Sequence, residues 1–542
     1  MKTLEKTLLE LLNKNNSKRV KEIRLEDVRT SSLANVKKAA RRIVDNIRNY
    51  KKLLIVGDYD ADGILATTIF VDFMRKSGFE RGVDFDYIVP DRFIDGYGVS
   101  ENMINYALDN GFDFIVTVDN GIGAFNAVEY ANSLGIEVII TDHHTVLKEN
   151  GKIKIPNASI IVNPKYKKGR FVFREISGSF VAWLLCSEIN KLTKKNIDMY
   201  QWRDLLGINV LSDVMPLESV NISLVKDAIK SIKAEKRFIY SLFFNKQKLR
   251  TLTEVDLGFG MIPLINATGR LKHASIAIEA FLSKDRTEIR KLFTQMEEIN
   301  NTRKRKNFEL LEEILPEAKG QIESGRKSIV IFRKGLHEGI VGILAGKLSD
   351  KFNVPSYVAT YNDKKLIWKG SGRSVGNVNL YNLTTKSKKF LVGFGGHAGA
   401  VGFALQDDLK NLFKESIQKN ASKISEEQFL FSNNIIIELS SLEEINLNLF
   451  EKIQSYGPFG EGFPSVKFKI RASIFIEVSF KDGLHNKVLV VDSNGNSKKS
   501  WFFHDKDIVK KDTKEIDLSF ELTKEISPKN PSGEIVLMAT CI

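Results

Sequence analysis

The chain has 542 residues, of which 43% are hydrophobic, and it carries a formal net charge of +14. This length exceeds what one hydrophobic core supports, so several domains are expected. Its only cysteines are Cys186 and Cys541, which excludes a disulfide framework and a zinc site built on thiolates. The positive charge favours a polyanionic partner, although a generally lysine-rich proteome would give the same excess.

The N-terminal residues 1–16 contain Glu5 and Glu10 and lack a small-residue cleavage site. They are typical of an amphipathic helix rather than a signal peptide. No apolar run in the chain approaches the length needed to cross a bilayer. We therefore expect a soluble cytoplasmic protein without membrane association, which begins with a basic helical segment over residues 1–45.

The first strong signal comes at residues 53–63. The apolar run 53–56 predicts a buried strand, and three carboxylates, Asp58, Asp60 and Asp62, follow it directly before a helix that begins near Ile64. Carboxylates gathered at the carboxyl end of a strand repel each other, and divalent cations such as Mg²⁺ or Mn²⁺ relieve that repulsion. The alternative is an acidic strand-to-helix turn in which Gly63 supplies a permissive backbone.

Acids recur at corresponding points further along the chain. The apolar runs 112–118 and 137–141 predict strands that end at Asp119 and at Asp142-His143-His144. Asp213 closes a further apolar stretch, 205–211, which is interpreted in the same way, so that acids recur where strands end. Helical segments between these runs predict a parallel sheet with a ligand site along one edge. A helix N-cap would explain Asp119 alone, and a core or surface pair would explain the two histidines alone. Four acidic positions and paired histidines together favour a metal site.

The rest of the chain divides into three parts. Residues 283–318 are charged, with apolar positions at helical spacing, and predict a long connecting helix whose basic cluster 303–306 lines a solvated face or a nucleic-acid channel. A second α/β unit runs from about 328 to 425. From Val466 onward short alternating strands and the Asn494-Gly495 turn predict a small OB-like barrel, in which Trp501 and Phe502 either stack on bases or belong to the core.

Glycines around His397 do not form a dinucleotide fingerprint or a P-loop, so the sequence gives no case for ATP use. They would instead let backbone N–H groups approach a phosphate closely. Arg373 can add a bidentate clamp on such a phosphate.

The ordered acidic motifs at 58–63, 119–121, 142–144 and Asp213 resemble those of the DHH phosphoesterase superfamily. Further motifs are similar to those of RecJ-type single-strand-specific 5′→3′ exonucleases, and they lie at residues 91–93, 96–98, 266–271, 300–304, 337–343, 371–374, 395–397 and 458–460. The resemblance spans roughly residues 40–470. Leu264, Thr268 and Phe463 depart from the usual family residues, and none of these departures removes a metal ligand.

This resemblance implies an α/β fold with a parallel-sheet DHH domain, a long connecting helix, a smaller α/β DHH-associated domain and a C-terminal OB-fold-like β-barrel. The expected boundaries are 1–45 for the helical lead-in, 46–284 for the catalytic domain, 285–320 for the connecting helix, 321–425 for the DHH-associated domain, and 426–542 for a linker and the barrel.

The resemblance also implies roles for individual residues. The expected metal ligands for two divalent ions, Mn²⁺ or Mg²⁺, are Asp58, Asp60, Asp119, His143 and Asp213. Asp62 and Asp142 would orient ligands, while His144 and Arg270 would contact the scissile phosphate. The expected substrate-binding residues are Arg92, Ser371, Arg373, His397 and Trp501, the first three as a pocket for a terminal 5′ phosphate.

The function implied is metal-dependent 5′→3′ degradation of single-stranded DNA to mononucleotides, in DNA recombination and repair. One alternative is a phosphodiesterase for short oligonucleotides or cyclic dinucleotides, and its usual compactness argues against it here. The other is a non-catalytic single-strand-binding scaffold, against which the filled ligand positions argue. We expect a monomer, with a single-strand-binding protein and a helicase as further candidate partners.

Overall fold

A computed structural model describes residues 4–96, 98–149, 151–166, 170–429, 435–480, 485–503, 508, 511–527 and 530–541. Tyr97, which lies in one of the family-like motifs, falls outside this part of the chain. Within the described ranges, no helix combines the length and the apolar character that crossing a membrane requires.

A five-stranded parallel sheet forms the centre of the first unit, in the order β2-β1-β3-β4-β7. The strands are β1 (Leu53–Val56), β2 (Phe85–Ile88), β3 (Phe114–Val118), β4 (Glu137–Thr141), the hairpin β5 (Leu147–Glu149) and β6 (Lys152–Lys154), and β7 (Ile160–Val162). Successive residues of β1 face opposite sides: Leu53 and Ile55 belong to one hydrophobic cluster, and Leu54 belongs to another. Because both faces are covered, the strand is apolar throughout.

Helices cover both sides of this sheet and continue beyond it. Helix α1 (Leu4–Asn16) is separate, since its buried Leu8 and Leu12 belong to the hydrophobic cluster of the C-terminal part. The helices of the first unit are α2 (Val36–Arg48), α3 (Ala61–Lys76), α4 (Glu101–Asp109), α5 (Phe125–Ser133), α6 (Gly178–Thr193), α7 (Arg203–Ser212), α8 (Val220–Lys233), α9 (Tyr240–Phe243), α10 (Lys246–Arg250), α11 (Glu254–Asp256), α12 (Ile262–Leu271) and α13 (Ser275–Leu282), with one π-helical turn at Leu257–Met261. Helix α2 packs on α6, so residues 36–48 belong to this unit rather than to a separate lead-in.

The predicted connecting helix is confirmed as α14 (Arg286–Glu323), which has 38 residues and is therefore about 57 Å long. It leads into a second, mixed sheet with the order β11-β12-β10-β9-β8. The elements of this unit are β8 (Ile329–Phe332), α15 (Val341–Phe352), β9 (Ser356–Asn362), β10 (Ile367–Arg373), α16 (Leu380–Thr385), β11 (Gly393–Gly396), β12 (Ala400–Leu405) and α17 (Lys410–Ala421).

The C-terminal part closes into a barrel, since β14 pairs with both β15 and β17. Its elements are β13 (Ile435–Glu438), α18 (Leu447–Gln454), β14 (Val466–Phe480), β15 (His485–Val491), β16 (Ser497–Phe503), β17 (Glu515–Ser527) and β18 (Asn530–Cys541). The predicted alternation is confirmed, because Val466, Phe468 and Ile470 are buried. Phe502 is fully buried in the barrel core and is not free to stack on bases, whereas Trp501 is half-buried and stacks on Phe480.

The interpretation of residues 205–211 as a strand is wrong. They lie in helix α7, and Asp213 is the residue that caps its C-terminus. Seven of the ten residues of this helix are buried, so it has almost no polar face to reveal helical periodicity. A short, fully buried helix and a buried strand give the same apolar run, which explains the error.

Inside the first unit, a buried ion pair holds α7 to the segment before α9. Asp204, on the first turn of α7, accepts from Arg237 Nε at 2.7 Å and from the Tyr240 hydroxyl at 2.6 Å.

Asp204→Ala leaves the Arg237 charge without its partner, so we expect a loss of about 3–5 kcal/mol in the free energy of unfolding of this unit, measured by urea denaturation. Asp27→Ala breaks an exposed contact to Arg24 at 3.9 Å and should cost less than about 1 kcal/mol. Equal losses for both variants would contradict this assignment.

Candidate metal centre and phosphate pocket

The loop after β1 delivers the first carboxylates. Asp58 is fully buried, and Asp60 caps α3 by accepting from the Gly63 backbone N–H at 3.1 Å. Gly63 lies inside the helix, and a Cβ atom there would come within 2.5 Å of Asp58 Cβ. Glycine is therefore needed for the close approach of the helix to Asp58, and not for the permissive backbone that the sequence suggested.

The ends of β3 and β4 add the next ligands at the same edge of the sheet. Asp119 is 1% exposed, with a left-handed φ of 65°, and its N–H donates to Thr141 O at 3.0 Å. The neighbouring Asn120 donates to Gly57 O at 2.8 Å and so ties the two loops together. His143 follows β4 and is 3% exposed. The parallel sheet thus brings together residues that are up to 85 positions apart in the sequence.

Four side chains converge on one point. His143 Nε2 lies 3.2 Å from Asp119 Oδ1, 3.3 Å from Asp213 Oδ2 and 3.6 Å from Asp62 Oδ2. Three overlapping groups have ligand atoms within 4.8 Å of one another, namely Asp58 with Asp60 and Asp119, Asp119 with His143 and His144, and Asp62 with His143 and Asp213. All five predicted metal ligands therefore lie in one cluster.

The cluster fits divalent cations on the evidence of its own atoms. Within the described part of the chain, the buried atoms that lack a hydrogen-bond partner include Asp58 Oδ2, Asp119 Oδ1, Asp213 Oδ2 and both ring nitrogens of His143. Buried polar atoms normally have hydrogen-bond partners, and a cation would supply the partner that these converging atoms lack. Oxygen atoms with one imidazole nitrogen suit Mn²⁺ or Mg²⁺.

The electrostatics agree with this fit. Burial first, and then the charges of neighbouring carboxylates, raise the pKa values of Asp58, Asp119 and Asp213 well above the ordinary range. Burial, and then the charge of His144, lower the pKa of His143 to about 3, so its imidazole is neutral at physiological pH. Metal ligands must be unprotonated. The neutral His143 already meets this condition, and cations bound here would stabilise the charged form of the carboxylates.

Asp142 and His144 form a pair beside this cluster. Asp142 is fully buried and accepts from three backbone N–H groups, those of Ile122, His143 and His144, at 2.7–3.0 Å. It also contacts His144 Nδ1 at 2.8 Å. Burial opposes protonation of His144, but the charge of Asp142 outweighs it and raises the pKa of His144 to about 10. His144 is therefore a protonated, partly exposed group near neutral pH.

Asp62 is held more firmly than the sequence indicated. It accepts from the N–H groups of Gly178 and Ser179, at the start of α6, at 2.7 and 3.0 Å, and from Asn209 Nδ2 at 2.8 Å. Sequence reasoning missed Gly178 and Asn209. Asn209 lies four residues before Asp213, and residues at this spacing share one face of a helix. If the helix had been recognised, this spacing would have indicated that Asn209 lies near the site. No local signal marks Gly178, although a Cβ there would come within 2.1 Å of Asp119 Oδ1.

Arginines from both α/β units gather beside the acids. The Arg92 guanidinium lies 4.7 Å above the Tyr59 ring, Arg270 Nη1 approaches Gly339 O at 3.5 Å, and Arg373 Nη1 donates to Ser371 Oγ at 2.7 Å. Burial first, and then the charges of Arg92, Arg373 and Arg303, lower the pKa of Arg270 to about 9. Positive charges close enough to lower the pKa of Arg270 favour binding of a phosphate group, whose negative charge compensates their repulsion.

His397 lies near Arg373 and His144. Partial burial, and then the charges of these two residues, lower the pKa of His397. The Phe93 ring meets the His337 ring at 5.0 Å and brings the two units into contact. Trp501 lies on the barrel instead, where its indole N–H donates to Glu525 at 2.7 Å. The structure thus gathers every predicted site residue except Trp501 around one cleft.

Three protein-family models match successive parts of the chain. The DHH family N-terminal domain matches residues 52–208, the DHHA1 domain matches 325–425, and the RecJ OB domain matches 438–533. These matches agree with the three sheets of the structure. Asp213 and the first 51 residues lie outside all of them.

Curated relatives match most of the chain. The single-stranded-DNA-specific exonuclease RecJ of Escherichia coli is 31% identical over 458 residues, which cover 80% of this chain and 78% of that protein. The protein of the same name from Haemophilus influenzae is 28% identical over 86% of this chain and 80% of its own length. The Bacillus subtilis RecJ is 30% identical over 78% of this chain, and the match spans only about half of that longer protein, 52%.

Solved structures share the fold. The crystal structure of RecJ from Thermus thermophilus in complex with Mn²⁺ superposes with a TM-score of 0.73 at 22% identity, and it covers 94% of this chain and 71% of that one. A crystal structure of exonuclease RecJ bound to manganese gives a TM-score of 0.61 at 26% identity, over 75% of this chain and 99% of that one. Together with the identity to the Escherichia coli protein over more than two thirds of its length, these findings show that the chain belongs to the RecJ family of DHH phosphoesterases.

Proposed function

We propose that this protein is a metal-dependent exonuclease that degrades single-stranded DNA from the 5′ end to 5′-mononucleotides. The observation that carries the proposal is a buried cluster of unpaired carboxylate oxygens and one neutral imidazole beside a group of mutually repelling arginines. The names of the relatives support the substrate, since they are called single-stranded-DNA-specific exonucleases.

Two divalent ions, Mn²⁺ or Mg²⁺, would be held by the five clustered ligands Asp58, Asp60, Asp119, His143 and Asp213. When bound, such ions supply Lewis acidity and lower the pKa of water, which is the chemistry that phosphodiester hydrolysis requires. Asp119 and His143 each belong to two of the overlapping ligand groups and would therefore be central to holding the ions. Asp62 and Asp142, which accept several hydrogen bonds each, would fix the geometry of their neighbours.

His144 would act directly on the scissile phosphate. Its ring is protonated because Asp142 raises its pKa to about 10, and its side chain is 41% exposed. A cation held in this way offers a charged hydrogen bond to a phosphate oxygen and can give a proton to the leaving oxygen. Asp142 keeps the ring oriented through Nδ1. Arg270 would hold the same phosphate.

The end of the strand would be recognised by Arg92, Ser371 and Arg373. The Arg373–Ser371 hydrogen bond of 2.7 Å pre-orients this pocket, and His397 lies at its border. A fixed distance between the pocket and the acids sets the length of the product, which we propose to be one nucleotide. We propose that the cleft between the two α/β units, which are in contact through Phe93 and His337, admits single strands and excludes duplexes.

The barrel would hold the following part of the strand, with Trp501 as a stacking surface and nearby lysines as phosphate contacts. We propose the domain boundaries 285–320, 321–425 and 426–542 as expected from the sequence, and a catalytic domain that includes residues 36–45 of the expected lead-in, because α2 packs on α6. The proposal also includes a role in DNA recombination and repair, a monomeric state and a cytoplasmic location. The proposed protein partners are a single-strand-binding protein and a helicase.

The two alternatives are weaker. A compact phosphodiesterase for oligonucleotides or cyclic dinucleotides would not need the barrel, which follows the second unit here and matches the RecJ OB domain. A non-catalytic scaffold would not need to keep a full set of buried, unpaired ligand atoms, whose burial costs stability when no cation is bound.

Asp119→Ala tests the metal centre. Cleavage of 5′-phosphorylated single-stranded DNA with Mn²⁺ should fall by at least about 1,000-fold, while single-strand affinity stays within about 3-fold, because Lys and Arg contacts to phosphate dominate binding. The measurement is product size on a gel together with fluorescence anisotropy. Asp109→Ala, an exposed acid at the end of α4, is the matched control and should behave as the wild type. Near-normal cleavage by the Asp119 variant would refute the metal assignment.

Arg373→Ala tests the pocket for the 5′ end. A terminal phosphate carries one more negative charge than an internal diester, and a charged hydrogen bond to it is worth ~1.5–3 kcal/mol. The rate preference for 5′-phosphate over 5′-hydroxyl ends should therefore shrink by about 10-fold or more. Initial rates on both substrates give the ratio, and Arg326→Ala, an exposed arginine of the same unit, serves as the control. An unchanged ratio, or digestion by the wild type from the 3′ end, would overturn the proposed polarity.

A further inference from the structure

One continuous helix connects the cleft to the loop that precedes the barrel. It consists of α11, the π-helical turn and α12, and we call residues 254–271 the bridging helix. At its start, buried Glu254 accepts from the N–H of Phe459, in the loop before β14, at 3.0 Å. Near its end, Asn266 accepts from the N–H of Ala61, beside the clustered acids, at 3.0 Å, and Arg270 lies in the cleft. The bridging helix therefore spans the distance between the two places where the proposed function puts the strand.

The bridging helix carries a strongly exposed aromatic side chain. Phe259, in the π-helical turn, is 83% exposed. Asn266 and Arg270 follow it by seven and eleven residues, close to two and three full turns, so the three side chains lie on the same side of the helix. Pro263, Asn266 and Arg270 are partly exposed, whereas residues 267–269 are buried. Phe259 thus lies on the side of the helix that reaches the cleft.

The position of Phe259 along the helix gives its position along a bound strand. Eleven residues at 1.5 Å each place Phe259 about 16 Å from Arg270 along the helix axis. Stacked nucleotides rise about 3.4 Å each, so this distance corresponds to about five nucleotides at most, and to fewer in an extended strand. A strand whose scissile phosphate lies at Arg270 would therefore bring one of its next few bases to Phe259.

The two glycines that flank Phe259 have different reasons. A Cβ atom at Gly260 would lie 3.1 Å from Phe244 Cε1, so close packing explains this glycine. A Cβ atom at Gly258 would meet nothing within 4 Å, so packing does not explain the other, although glycine weakens a helix. The missing side chain leaves open space next to the Phe259 ring. A π-helical turn is itself rare and frequently occurs at functional sites.

Positive charge lies beside the π-helical turn. Helix α10 contains three basic residues and no acid, and it lies near strand β17 of the barrel. Its Lys248 pairs with Asp256, which is almost one turn before Phe259. Exposed aromatic rings next to lysines and arginines are the combination with which proteins bind single strands of any sequence, because every base offers a flat face for stacking.

We propose that Phe259 is a stacking surface for a base of the single strand, at one of the nucleotides that follow the scissile phosphate between the cleft and the barrel. This inference rests on the proposed function, because it presupposes that a strand runs from Arg270 to the barrel. Phe259 would raise the affinity for the strand and keep it in line with the cleft. It would take no part in hydrolysis, since it lies several nucleotides from the reacting atoms.

The test compares the full-length wild type with Phe259→Ala, and the probe is a 5′-phosphorylated oligothymidylate of about 20 nucleotides. Its Kd, measured by fluorescence anisotropy in EDTA to prevent cleavage, should rise by about 5-fold or more, the effect of losing one stacked base. Phe259→Trp keeps a flat ring and should restore the affinity, whereas Phe259→Leu keeps only apolar volume and should not. With Mn²⁺, Phe259→Ala should raise KM and leave kcat unchanged.

An abasic scan locates the contact on the strand. One abasic site is moved through the first positions on the 3′ side of the scissile phosphate, and Kd is measured for each substrate. In the wild type, one position within about five nucleotides should weaken binding, and in Phe259→Ala the effect at that position should disappear. If no abasic position weakens binding by the wild type, or if every effect persists in Phe259→Ala, the inference is overturned without reference to any other variant.

Tyr50→Ala is the matched control. Tyr50 is 98% exposed and lies just before β1, at the opposite edge of the sheet from the acids, so its loss should leave Kd and KM at the wild-type values. Unchanged affinity in Phe259→Ala, or the same loss in both alanine variants, would contradict the stacking role. A wild type that neither binds nor cleaves single-stranded DNA would instead refute the proposed function.

Discussion

Repulsion among buried carboxylates is the constraint on which this structure depends. Asp58, Asp119 and Asp213 lie in one buried cluster where both burial and their neighbours raise the pKa. Such an arrangement is unfavourable for the folded chain alone and becomes favourable when cations neutralise it. The rigid elements around it, the parallel sheet and the starts of α3 and α6, serve to hold these acids together against their repulsion.

A second, oppositely charged group lies beside the first. Burial, and then the charges of neighbouring arginines that include Arg92, lower the pKa values of Arg270 and Arg373, and Arg373 comes from the second α/β unit. The clustered acids need positive charge to neutralise them, and the arginines need negative charge. Under the proposed function, the metal ions would neutralise the acids and the phosphodiester would neutralise the arginines. This explains why the two units must meet, through Phe93 and His337, for the site to be complete. Arg19 connects the N-terminal segment to Leu217 and to the loop before the barrel.

Prediction from the sequence succeeded where the signal was local. The strands before Asp58, Asp119 and Asp142 are apolar and are followed by acids, so the edge of the sheet and the acids gathered there were recognisable, as were the connecting helix and the alternating barrel strands. It failed for α7, whose burial hides its period. It could not show that Gly63 is required by the short distance to Asp58, because that distance is set by the fold. It left Trp501 and Phe502 undecided, since adjacent strand residues face opposite sides of the barrel.

The sequence by itself determined the chemistry of the site and the order of its domains, because residue types at strand ends and the hydrophobic period are properties of short segments. Only the tertiary structure decided which acids share the cluster, that Asn209 and Gly178 hold Asp62, and that Arg373 reaches Arg92 across the cleft. It also decided that Arg19 lies against Leu217, 198 residues away. These contacts join residues that are distant in the chain, and no local pattern encodes such distances; they arise only when the units pack together.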